Sequence, residues 1–232
     1  MARRATGASH GIRTTSNGDA TRRRILTAAE RLFAQRGLDA VSVRDITEAA
    51  RVNTAAIHYH FGSKQKLVEA ILERRAGELA ERRGVLLDTI EADPDPDLRD
   101  VIEAMVLPSA EMVADTKTGG RHYIGFLAGV TSHPEHMPLV NQVYDPTVTR
   151  YLTALTRVTP HLPPDVRALR FALAKVFLNQ VLGQPGAPVH HWLEQQAPGA
   201  DRNLTERLVD FLVGAFREPH TAVTDRPRAP RS

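Results

Sequence analysis

The chain has 232 residues, no cysteine and no run approaching 18 apolar residues free of charge, which excludes disulfides, thiolate catalysis, cysteine-based zinc sites and a helical membrane span. Its net charge of +3 conceals an asymmetry: residues 1–77 carry 14 Lys/Arg against 7 Asp/Glu, and residues 78–232 carry 16 against 20. A basic front on a mildly acidic back is the pattern of a polyanion-binding head on a body with another task.

Residues 1–18 (MARRATGASHGIRTTSNG) offer almost nothing to bury and read as a disordered arm. This start is polar and Arg-rich with no apolar segment, so it is not a secretory signal, and a cytoplasmic protein is the simplest expectation. Next, Ile25, Ala29, Leu32 and Phe33 fall at i, i+4, i+7 and i+8, one face of a helix. Asp19 or Thr21 can cap its start, and Gly37 stops it. In Ser42-Val43-Arg44-Asp45 a hydroxyl precedes a carboxylate by three residues, a variant capping box that opens a short helix buried through Ile46, Ala49 and Ala50. Val52 and Asn53 make a turn, and Asn53 caps a third helix in which Ile57 and Phe61 point inward. Gly62 ends that helix. Ser63 caps a long fourth one marked by Leu67, Val68, Ile71, Leu72 and Leu79. Two short helices joined by such a turn form a helix-turn-helix, with the first helix as third wall of a small core.

The rest also reads as helices, punctuated by prolines. DPDPD at 93–97 is a break, and a helix from Leu98 to Asp115 should kink or split at Pro108. Further helices cover Gly120 to Ser132, Pro138 to Val158 (with Pro146 inside), Pro164 to Leu182 and Leu204 to Arg217. Nothing from 19 to 220 alternates like a strand, so the fold class is all-α. The expected domains are a disordered arm at 1–18, a helix-turn-helix head at 19–66, a ligand-binding and dimerisation body at 67–218 and a flexible tail at 219–232.

RVNTAAIHYHFGSK, residues 51–64, concentrates the polar chemistry of the head. His58 and His60 point about 200° apart on a helix, so they do not converge on a metal, which wants i, i+3 or i, i+4 spacing. The recognition helix of a helix-turn-helix sets its first residues against base edges in the major groove. Here those are Thr54, Ala55 and Ala56, small enough for close approach. Tyr59, His60 and Lys64 offer donors to phosphate, Lys64 at a helix N-terminus where free N–H groups add to its charge. Arg44 is the long basic side chain placed to reach a base. The plainer alternatives are rim packing for Tyr59 and His60 and solvated charge for Arg44 and Lys64.

TRRRILTAAERLFAQRGLDAVSVRDITEAARVNTAAIHYHFGSKQKLVEAIL, residues 21–72, resembles the N-terminal domain of the tetracycline-repressor (TetR) family, with Tyr59-His60-Phe61-Gly62-Ser63-Lys64 as its most specific ending. The resemblance implies an all-α homodimeric transcriptional regulator, usually a repressor, released from a palindromic double-stranded DNA operator by a small ligand. Carried over residue by residue, it makes Arg44, Thr54, Ala56, Tyr59, His60 and Lys64 DNA-contact candidates. Two positions depart from the family: Arg51 stands where a glycine is usual, and His58 where many members have tyrosine.

The body resembles the family less. The helices at 164–182 and 203–217 carry more apolar surface than one bundle needs, which points to a four-helix interface with a second copy. A ligand pocket is expected among the middle helices, walled by Met105, Met112, Tyr123, Phe126, Leu127, Tyr144 and Phe177, with Pro108 and Pro146 opening space. His122, His133 and His136 stand nearby, most simply as solvated loop residues. VNxAAIxYHFGSK together with PHLPPD resembles a subgroup that includes sensors of fatty-acyl-like molecules, so the expected effector is small and apolar. No cofactor, metal, membrane association or enzymatic activity is expected. The alternative is a constitutive DNA-binding regulator with no small-molecule effector.

Overall fold

A computed structural model describes residues 11–184, 188–197, 199 and 203–220. The head comprises α1 (Gly11–Arg36), α2 (Val43–Ala50) and α3 (Thr54–Phe61). Helix α1 begins at Gly11 rather than near Asp19, which corrects the second half of the expected arm. No proline interrupts residues 11–36, so nothing blocks the helix from extending backwards. Residues 1–10 of that arm, and the expected tail from residue 221 onward, lie outside the described residues.

The local signals act as their chemistry dictates. Gly37 donates its N–H to Phe33 at 2.9 Å and closes α1. Ser42 Oγ accepts from the Asp45 amide at 3.1 Å while Asp45 accepts from the Ser42 amide at 2.8 Å, a complete capping box. Asn53 accepts from the Ala56 amide at 2.9 Å and starts α3. Gly62 takes φ 78° after α3, where a Cβ would be strained. Ile46, Ala50 and Ile57 bury against Ile25, Ala29, Phe33 and Leu67. Phe61 is only half-buried, and the Arg22 guanidinium lies over its ring at 5.2 Å.

Ser63 Oγ accepts from the Lys66 amide at 3.1 Å and opens α4 (Lys64–Ala92), a rod of 29 residues that leaves the head and enters the body. The body adds α5 (Leu98–Ala114), α6 (Gly120–Val130), α7 (Met137–Val158), α8 (Pro164–Gly183), α9 (Pro188–Gln196) and α10 (Leu204–Arg217). Helices α5 and α7 run on through Pro108 and Pro146, so of the kink or split expected at Pro108 the split does not occur, and Pro146 lies inside one helix as expected. Helix α9 was not foreseen; its one signal is a proline at the first helical position.

Two features lock head to body. Helix α6 lies between α1 and α8 at a crossing without side chains: a Cβ on Gly183 would stand 2.5 Å from Gly125 N, and one on Gly125 3.2 Å from Ala34 Cβ. Glu30 of α1, 2% exposed, pairs with Arg74 and Arg75 of α4, and Arg75 also donates to the Thr118 carbonyl before α6. A buried carboxylate is tolerable only when paired in this way.

Candidate nucleic-acid interface and cavity

Helix α3 turns its outer face to solvent. Thr54 and Ala55 are exposed, Ala56 and His60 are half-buried, and Tyr59 is 85% exposed with its ring edge-on to His60 at 5.0 Å. An apolar ring left so open on a well-capped helix is free to meet another surface. His58 is drawn away from this face: its Nδ1 lies 3.2 Å from the Gly62 carbonyl at the C-terminal end of α3. Arg44, on the outer side of α2, has an 86% exposed side chain held, among the described residues, by Glu48 at 3.0 Å. Such an i, i+4 surface pair is worth about 0.3–0.5 kcal/mol, so it yields readily to a stronger partner.

Lys64 departs from expectation. Its ammonium does not stand beside the α4 amides facing outward; it folds back to donate to the Leu38 carbonyl at 2.5 Å and lies 5.8 Å from the Phe33 ring centre. The reason is local: Leu38 sits in the α1–α2 link, where its carbonyl takes a long bond from the Val41 N–H at 3.4 Å and keeps a second lone pair that a lysine stem can reach across apolar surface. Lys64 thus ties the link between α1 and α2 to α4.

Arg51 resolves the glycine question. It adopts φ 53° and ψ 51°, the left-handed conformation that normally selects glycine, and its N–H caps α2. Arg24 of α1 then donates to the Ala50 carbonyl at 2.5 Å and the Arg51 carbonyl at 2.8 Å. The strained turn is held by a guanidinium from the neighbouring helix.

In the body, a cavity of about 410 Å³ lies between α6, α7 and α8 and reaches α4 through Arg83. Its walls are mainly apolar, with Leu127, Val140, Leu152 and Phe171 among them. Of the seven residues expected there, Leu127 and Tyr144 line it. Tyr123 joins through a hydrogen bond between its hydroxyl and that of Tyr144, behind the wall. Met105 of α5 and Phe126 of α6 are sealed in the core, where Phe126 turns towards α1 with its ring 6.1 Å from that of Phe33, and Met112 of α5 packs beside the core. Phe177 lies on the outside, 40% exposed, with its ring 5.3 Å from that of Phe211. One residue along a helix turns about 100°, so Val176 reaches the cavity and Phe177 does not.

Sequence reasoning missed the polar groups of the wall: Arg83, Lys175 and Asn179. The signals were present. Arg83 sits between Leu79 and Leu87 at i+4 spacing, a charge on the apolar stripe of α4. Lys175 interrupts the apolar run FALAKVFL. Burial, and then the charge of Arg83, push the Lys175 amine well below the ordinary lysine range. Burial also raises the phenols of Tyr123 and Tyr144, and that of Tyr151 to about 12, which keeps their protons as donors. Among the described residues, no three His, Asp or Glu gather as a metal site, and no helix is long and apolar enough to cross a membrane.

A three-helix head with an open second short helix, tied by one long helix to a helical body with a cavity, defines a helix-turn-helix architecture. The family model "Bacterial regulatory proteins, tetR family" matches residues 25–71, and "Tetracyclin repressor-like, C-terminal domain" matches residues 103–215. The chain belongs to the TetR family of bacterial regulatory proteins. It is 35% identical over 99 residues to the HTH-type transcriptional repressor KstR2 of Rhodococcus jostii, across 43% of this chain and 46% of the relative. It is 43% identical over 61 residues to the HTH-type transcriptional regulator TtgR of Pseudomonas putida, across 26% of this chain and 29% of the relative. The chain therefore spans less than half the length of these curated relatives. In fold it is similar to PfmR from Thermus thermophilus (TM-score 0.55, 23% identity, 82% of this chain and 97% of that one). It is likewise similar to NalD from Pseudomonas aeruginosa (TM-score 0.56, 20% identity, 88% and 99%).

Proposed function

We propose that the chain is a cytoplasmic regulator that binds a palindromic double-stranded DNA operator as a homodimer and is released when a small apolar effector fills the body cavity. One observation carries this: α4 begins three residues after the last residue of α3 and also lends Arg83 to the cavity wall. A shift of α4 caused by a ligand is felt by the reading helix. The ligand favours the arrangement in which the two heads no longer match successive major grooves, about 34–36 Å apart. Such a coupling amounts to about 1–3 kcal/mol.

Dimerisation is supported by α8. Leu169, Leu173 and Phe177 fall at i, i+4 and i+8 and are 40–60% exposed, and Phe211 of α10 extends the patch. A contiguous apolar surface of this kind marks an interaction site, and α8 with α10 from two copies makes a four-helix interface. Arg44, Thr54, Ala55, Ala56, Tyr59 and His60 are the DNA-contacting residues of the proposal. The testing experiment is a genome-wide pulldown of bound DNA, then anisotropy titration of the recovered duplexes. A protein that is monomeric and indifferent to every duplex would overturn it.

A further inference from the structure

We propose that the cavity accepts an amphipathic ligand with a negatively charged head, a carboxylate on an apolar body, seated with that head on Arg83, Lys175 and Asn179. This rests on the cavity being a ligand site and adds the chemistry that selects the ligand.

Arg83 is 2% exposed, yet among the described residues its guanidinium has only one acceptor, the Ser109 hydroxyl at 3.3 Å, and its Nε has none. It also lies 5.9 Å from the centre of the Tyr144 ring, a further neutral contact. The other buried arginines differ. Arg75 also leaves Nε unpaired, but it has the carboxylates of Glu30 and Glu78. Arg167 has no carboxylate but donates to four oxygens, two hydroxyls and two carbonyls. Arg83 alone among these has neither an anion nor a full set of acceptors.

Around it the wall repeats the deficit. Lys175 lines the same cavity with no hydrogen bond or ion pair among the described residues. Asn179, 6% exposed, leaves Oδ1 without a donor, so it is the amide N–H of Asn179, and not this oxygen, that can face an anion. Asp145 is the one carboxylate on the lining; it is exposed, at the rim, and forms no ion pair with either cation among the described residues. Two basic side chains in one largely apolar cavity repel each other and are poorly solvated. A neutral ligand would remove water and worsen both terms. An anion corrects both at once, through charge-assisted hydrogen bonds of the kind arginine and lysine make to carboxylates. Burial and the neighbouring Arg83 charge hold the Lys175 amine low, and a bound carboxylate opposes both effects by favouring the protonated amine. The remaining wall, Leu127, Val140, Val148, Leu152 and Phe171, suits an apolar body, which gains about 0.8 kcal/mol per buried methylene.

The experiment is calorimetry on the purified full chain without DNA, using two matched pairs: decanoate against decanamide, and 2-naphthoate against 2-naphthamide. In at least one pair the carboxylate should bind about tenfold or more tightly than its neutral amide. Lys175→Met should weaken that carboxylate by about tenfold and leave the amide within about threefold. Equal binding of acid and amide in both pairs, no binding by any probe, or a preference unchanged in Lys175→Met would each overturn the proposal. The wild-type ratio stands whether or not the variant folds. Release from DNA is a separate titration: a carboxylate that binds without releasing the duplex defeats the effector mechanism and leaves this assignment intact.

Discussion

The hydroxyl of Tyr151 on α7 donates to the carbonyl of Ala104 on α5 at 2.6 Å. That carbonyl would ordinarily accept the N–H four residues on, but residue 108 is proline and has none. The phenol supplies the donor that the proline removed, which is why α5 passes through Pro108 without breaking. Tyr151→Phe should therefore cost about 1–3 kcal/mol by leaving a buried carbonyl bare. In a Pro108→Ala background, where the backbone donor returns, the same change should cost about 1 kcal/mol or less. Urea unfolding midpoints of the four proteins decide this. Equal costs in both backgrounds would show that the hydroxyl serves some other end.

The left-handed turn at Arg51 gives a second stability test. Arg51→Gly removes a conformational cost of about 1–2 kcal/mol, offset in part by the extra freedom of glycine in the unfolded chain. A net gain of about 1 kcal/mol in thermal unfolding is expected. Arg24→Met should act oppositely, by about 1–2 kcal/mol, because two carbonyls lose their donor.

Arg44 and Lys64 should separate in a DNA titration. Arg44 gives up only a surface pair with Glu48, so Arg44→Ala should leave stability within about 0.5 kcal/mol while costing about 1–3 kcal/mol of discrimination at one base position. Lys64 is bound to the Leu38 carbonyl, so Lys64→Met should cost about 1–3 kcal/mol of folding stability. It should barely change the slope of log affinity against log salt. Anisotropy on matched and single-substituted duplexes, with melts in parallel, reads both. A clear fall in salt slope for Lys64→Met would return that lysine to the phosphate backbone.

What was legible in the sequence divides along physical lines. The capping box at Ser42–Asp45, the Asn53 cap and the Gly62 stop are local chemistry, settled within a few residues, and each forms as its side chains require. The all-α class and most helix limits follow from apolar spacing of the same range. The orientation of Lys64 was not legible, because its partner is 26 residues away and is a backbone carbonyl that no residue type advertises. The cavity wall failed for a related reason. Apolar side chains such as Phe126 and Met105 look alike whether they fill a core or line a space, and only packing separates them. The charges Arg83 and Lys175, set on apolar stripes, were the informative residues, since a core seldom accepts an unpaired cation.

The contact between Asp39 in the α1–α2 link and His133 after α6 joins head to body and depends on pH. His133 Nε2 lies 3.1 Å from Asp39, and its Nδ1 lies 3.0 Å from the Gly129 carbonyl. The Gly129 carbonyl first, and Asp39 second, raise the imidazole above its ordinary 6.5, while the hydrogen bond from His133 lowers the Asp39 carboxyl below 3.8. A raised histidine stabilises fully below 6.5 and loses that contribution as pH rises through its folded value; a lowered aspartate stabilises above 3.8 and loses it as pH falls through its own. The link is complete between those two values. The gap in melting temperature between wild type and Asp39→Asn should thus be open near about pH 5 and closed by about pH 9. A gap that does not vary with pH would mean that the charge on His133 contributes nothing.

The outer face of α8 and α10 tests the assembly. Leu173 is 60% exposed on α8 and Phe211 60% exposed on α10, where Phe211 meets Phe177 ring to ring. Leu173 is mostly exposed and Phe211 gives up one ring contact with Phe177, so replacing either with a charge should leave the monomer folded. In a dimer, each substitution appears twice, once per copy, and places unpaired carboxylates in a desolvated seam at a cost of several kcal/mol. Leu173→Glu and Phe211→Glu should each raise the dimer dissociation constant by about a hundredfold or more, seen as monomer in sedimentation at micromolar protein. Affinity for a two-half-site duplex should fall with it, while affinity for a single half-site should hold, because the reading face of α3 is untouched. If both variants sediment as the wild type does, the two copies meet elsewhere, and the spacing of their heads must be set by another surface.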